Sequence, residues 1–188
     1  MANIASRGAI AFAPRWCAVV HAGRWSGVLV AILVCLSTET FAQQYQADPV
    51  NDRVRPQGLA ALNLVRNPAG YSAEKERFLE FFRDYYLPAM TRYGANDLAD
   101  LGKMRYELFS QFLWRTNNAD MQKDLTDLAF EKMKGVVVSR QKNYHPAVRY
   151  NAILILGLLD EQYPIETNPN RRPSKPLREA NALLTQVV

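Results

Sequence analysis

The chain has 188 residues, 48% of them hydrophobic, enough for one domain with a filled core. Its 23 Lys and Arg against 18 Asp and Glu give +5; with Arg7, Arg15, Arg24 and Glu39 set aside, the part after residue 42 has 20 against 17, or +3. That balance excludes the strong basic footprint of a nucleic-acid binder.

The first element in chain order is a leader. Arg24 precedes an apolar run from Gly27 to Leu36, and Thr40-Phe41-Ala42 closes it with a small-x-small pattern. These are the three parts of a secretory signal peptide, which puts cleavage after Ala42 and the protein in the periplasm or outside the cell. The ten-residue run is short of the roughly 20 residues of a spanning helix, so the membrane is expected to be met only in transit; an uncleaved anchor is the alternative. Cys17 and Cys35 both precede the cut, and Val34 is not the small residue that a lipid-acceptor cysteine needs before it. The exported chain then has no disulfide, thiolate nucleophile or Cys-ligated metal.

Residues 43–70 carry Pro49, Pro56, Pro68, Gly58 and Gly70 without a sustained period. They read as an extended leader or linker with one helical turn around Leu59 to Val65. Ser72 is placed to cap a first helix, with Glu74 and Glu76 in its first turn. Phe78, Phe81, Phe82, Tyr85, Tyr86 and Ala89 then share one face at helical spacing, and Pro88 predicts a kink or an end near Leu87. A second helix is predicted from Asp97 to Arg115 and a third from Ala119 to Val138. Pro146 suits the first position of a fourth helix, apolar nearly all round and reaching about Leu159. A polar, proline-rich loop (161–175) and a final helix follow. No strand pattern of useful length appears, so the expected class is all-α.

The stretch "HPAVRYNAILILGLLD", after a long amphipathic helix and a short turn, resembles one HEAT repeat of the armadillo-type α-solenoids. Pro146, Val148, Arg149, Ala152, Leu156 and Gly157 carry the resemblance. It implies stacked helical hairpins in a short or truncated solenoid. Residues 71–117 would be a capping hairpin, 118–160 the HEAT-like repeat and 176–188 the first helix of a further, truncated repeat. Arg149 is expected to reach a turn carboxylate or carbonyl. In the family its partner is usually an Asp, and Asn143 and His145 stand at those places here. Gly157 is expected to let two helices cross closely. Leu177, Ala180, Leu183, Leu184 and Val187 of the last helix need a surface, so self-association through it is a further expectation.

His145 is the one histidine after the cut, and scattered Ser72, Ser110, Ser139 and Ser174 give it no nucleophile elbow. A turn residue that helps to cap a helix is the plainer reading. Asp120, Asp124, Asp127 and Glu131 form an acidic stripe, read as a solvated face with Lys123, Lys132 and Lys134 nearby. Arg171, Arg172, Lys175 and Arg178 are a candidate docking patch for an acidic protein, headgroup or polyanion, with a solvated connector as the alternative. No catalytic, cofactor or metal site is predicted. The expected function is an exported, non-catalytic protein-binding scaffold or adaptor. A helical module of a larger exported enzyme or redox assembly, and an apolar ligand or lipid carrier, remain open.

Overall fold

The computed structural model of the protein describes residues 44–163 and 173–187. The expected signal peptide at 1–42, with Cys17 and Cys35, lies outside the described residues, as do Arg171, Arg172 and Val188.

Residues 44–70 hold more structure than an extended linker. A 3-10 turn, Asp52–Val54, is followed by helix α1 (Gln57–Arg66). Pro56 sits just ahead of α1, where its missing N–H leaves no bond unmade. A Cβ on Gly58 would meet the Phe81 ring at 3.1 Å, so the glycine lets α1 settle on the aromatic cluster beneath it. Ala61 and Val65 are its buried side chains, too few and too small to make a legible stripe.

Helix α2 begins at Tyr71, after a 3-10 turn at Pro68–Gly70, so Ser72 lies inside the helix and is not its cap. It runs Tyr71–Glu80, widens into a π-helical turn at Phe81–Tyr86, and continues through Leu87–Ala89. The helix ends at Ala89, two residues past the end near Leu87 that Pro88 predicts. A proline there has no N–H for the Asp84 carbonyl, and the Asn51 N–H takes that carbonyl instead at 2.8 Å. Helix α3 (Ala95–Glu107) widens in the same way at Leu108–Leu113. The two wide turns meet ring against ring. Phe82, fully buried, lies 4.9 Å from Phe112 and 5.0 Å from both Phe78 and Phe81.

Helix α4 (Ala119–Val138) starts where predicted, because Asn118 accepts the Met121 N–H at 2.8 Å. Helix α5 (Pro146–Leu158) starts as sharply, with His145 Nδ1 accepting the Ala147 N–H at 3.1 Å. It packs against α3, α4 and the last helix, α6 (Arg178–Val187), which accounts for its nearly all-round apolar sequence. A short antiparallel ladder, β1 (Asp160–Gln162) with β2 (Lys175–Pro176), pairs Asp160 with Pro176 and Gln162 with Lys175. No strand pattern announces it, since two or three residues are too few for alternation to register.

The described chain is therefore mostly helical, as the all-α class requires. Helix α2 lies beside α4 and α4 beside α6, while α3 lies beside α5. The apolar face of α6 rests on α4 and α5, with Ala180 buried and Leu183 and Leu184 packed against the core. Among the described residues no helix is long and apolar enough to cross a membrane.

Candidate functional site

A groove of about 970 Å³ opens between α4 and β1. From α4 it is lined by Gln122, Lys123, Thr126, Asp127, Phe130 and Glu131, residues that recur every three or four positions and so share one face. The opposite wall is the whole of β1 with Tyr163, closed by Leu177 and Glu179 at the start of α6. The floor is apolar and held in place: Thr126 and Tyr163, both buried, join hydroxyl to hydroxyl at 3.2 Å. Burial pushes the Tyr163 phenol up to about 12, against hydrogen bonds from Thr126 and the Asp160 backbone that lower it.

The rim is acidic. Asp127 is paired with Lys123 at 2.6 Å and Glu131 with Lys134 at 3.5 Å. Glu161 is paired with Lys175, and Arg178 stands 3.7 Å from it. Lys175 and Arg178, expected in a basic docking patch, are thus turned to a carboxylate of their own chain. Asp160 and Glu179 have no ion-pair partner among the described residues. Partial burial without a cation raises the Asp160 carboxyl above its ordinary value. The acidic stripe of α4 divides between two neighbourhoods. Asp127 and Glu131 face the groove, whereas Asp124 turns to α2 and accepts from Tyr71 Oη and Lys75, each at 2.7 Å.

A second cluster ties residues 44–51 across the turns between helices. The Asp48 carboxylate, only 9% exposed, accepts Lys142 Nζ at 2.5 Å and Tyr144 Oη at 2.7 Å, with Lys132 at 3.9 Å. Burial by itself would raise this carboxyl; the hydrogen bonds from Lys142 and Tyr144 and the two lysine charges outweigh it and hold it below its ordinary value. Gln46 N–H donates to the Asn143 carbonyl at 2.9 Å, and Asp48 N–H to Thr91 Oγ1 at 2.7 Å. The Tyr45 ring stands edge-on to His145, 4.6 Å between centroids. His145 is therefore held at both a helix start and a ring contact.

The residues of the repeat-like stretch do structural work. Val148, Ala152 and Leu156 are buried, and Pro146 opens α5. Among the described residues Arg149 reaches no carboxylate. It donates to the carbonyls of Val137 at 3.0 Å, Ser139 at 2.8 Å and Lys142 at 3.0 Å, closing the end of α4 and the turn after it. Gly157 is exposed, and a Cβ there would meet only Leu184 Cδ1 at 3.9 Å, an ordinary contact, so no close helix crossing depends on it.

Among the described residues no group of three or more His, Cys, Asp or Glu is placed to hold a metal ion. Sequence reading missed Asp160, Tyr163, Phe130 and Glu179; Phe130 and Glu179 lie far in sequence from the acid–aromatic run "DEQY" (160–163), which was the one local hint. No protein-family model matches the chain, and neither do any curated protein or solved structure.

Proposed function

We propose that this protein is an exported protein-binding scaffold whose helical hairpins stack in the HEAT-like manner and which has no chemistry of its own. The observation that carries the reading is the order of helix contacts: α2, α4 and α6 side by side, with α3 and α5 side by side. That order is what successive stacked hairpins require. The repeat-like stretch from Pro146 to Gly157 falls in the middle of it. Tyr106 on α3 and Tyr150 on α5 are 65% and 63% exposed, large amphipathic side chains of the kind that anchor protein interfaces. His145, the only histidine after Ala42, is used as a helix cap through Nδ1.

The test is to recover the chain from the producing cells by gentle fractionation, with light scattering and mass spectrometry of the recovered species. An N-terminus at Gln43, and a complex of defined stoichiometry that re-forms from purified components, is the expected result. A cytoplasmic monomer, or turnover of a small substrate by the purified chain, refutes the reading.

A further inference from the structure

We propose that the groove between α4 and β1 docks an extended basic segment of the partner protein, with apolar side chains on its floor and a lysine or arginine set against Asp160 and Glu179. This rests on the protein-binding reading above and adds the chemistry of the partner.

Three features of the groove choose that occupant. Its floor offers Phe130, Tyr163 and Leu177 to apolar side chains, in a volume of about 970 Å³ that suits a few residues of peptide. Its charge is unbalanced in one direction. Lys123 serves Asp127, and Lys175 and Arg178 serve Glu161, which leaves Asp160 and Glu179 without a cation among the described residues. Asp160 is partly buried, and the charged form of such a carboxylate is costly until a cation reaches it. The third feature is backbone. Among the described residues the ladder has two strands, so there β1 is paired along one edge only, and Asp160, Glu161 and Gln162 all line the groove with Tyr163 after them. An extended chain can add to an open strand edge, with alternate side chains turned to the floor and the rim. A simple polyamine would satisfy the charge and leave the floor and the edge unused. An acidic partner would face repulsion from the rim.

The probe is a fluorescein-labelled twelve-residue peptide of alternating lysine and leucine, followed by anisotropy on the full chain. Controls are a glutamate–leucine and a lysine–serine peptide. The expected result is binding of the lysine–leucine peptide at least tenfold tighter than either control, with the dissociation constant raised at least tenfold by Asp160→Asn with Glu179→Gln. Glu179 is exposed, so Glu179→Lys alone gives a second variant in which folding is not at risk, and it too must weaken binding. An unchanged dissociation constant in these variants overturns the groove and leaves the scaffold reading standing. Equal binding of the lysine–serine peptide overturns it as well, because charge alone is then read. Tighter binding in Arg171→Glu with Arg172→Glu means that the chain's own basic loop is the occupant, and the proposal falls. If no peptide binds it also falls, while the native complex sought above decides the scaffold reading separately.

Discussion

Arg149→Ala removes the guanidinium that closes the end of α4. Two of its hydrogen bonds, to Val137 and Ser139, are partly buried, and the third, to Lys142, is exposed. A hydrogen bond from a charged donor contributes about 1.5–3 kcal/mol when shielded, and much less where water can replace it. The carbonyls at a helix end also carry the negative pole of the helix, adding roughly 0.3–1 kcal/mol for a nearby cation. Such terms do not add fully when they share one side chain, so the expected loss is about 3 kcal/mol. At roughly 3 °C per kcal/mol for a domain of this size, Tm falls by about 9 °C. Arg149→Lys should recover only about a third of the loss, since an ammonium cannot span three carbonyls as the planar fork does. The assay is urea unfolding followed by circular dichroism, with m-values checked for constancy. A loss below about 1 kcal/mol for the alanine variant, or a lysine variant as stable as the parent, refutes the reasoning.

Asp48→Asn should cost about 1–2 kcal/mol at pH 7, because Lys142 and Lys132 lose their anion. The Asp48 carboxyl is held below its ordinary value, so its stabilisation is present above the unfolded pKa near 3.8 and is lost as pH falls through the lower folded value. The gap between parent and variant in denaturant midpoint should therefore begin to narrow near about pH 4 and shrink further as pH falls, and a gap that does not change with pH would count against the carboxylate's role. Gly157→Ala should stabilise by about 0.5–1 kcal/mol, since the position is exposed, helical and roomy; a drop in Tm would mean that α5 and α6 lie closer than described. Phe82→Ala should cost about 3–5 kcal/mol by opening a cavity among Phe78, Phe81, Tyr86 and Phe112, read as a fall in denaturant midpoint.

Helices α4 and α5 were legible almost to the residue because their signals are local. Asn118 and His145 each satisfy a backbone N–H two or three positions on, and Pro146 is pre-set for a first turn. The helical face of α2 was legible from its aromatic spacing, although the widened turn that buries Phe81, Phe82 and Tyr86 together was not. The fate of Pro88 depended on Asn51, 37 positions earlier, which supplies the missing donor to Asp84. Nothing in the local sequence announces that bond. Helix α1 was reduced to a turn for a similar reason. Its apolar side chains are few, and the Phe81 ring that it covers belongs to another helix.

Composition and periodicity alone determined a helical chain, its main helix borders and a modest net charge of +5. Tertiary structure decided which charges remain unspent. Lys175 and Arg178 look like a docking patch in sequence, yet in space they neutralise Glu161. Asp160 and Glu179 look unremarkable in sequence, yet the folding of β1 and α6 against α4 brings them to one groove with no cation among the described residues. Helix formation is a matter of neighbours three and four apart, which a sequence displays. Charge balance at a site is a sum over every element that folds onto it, and only the fold performs that sum.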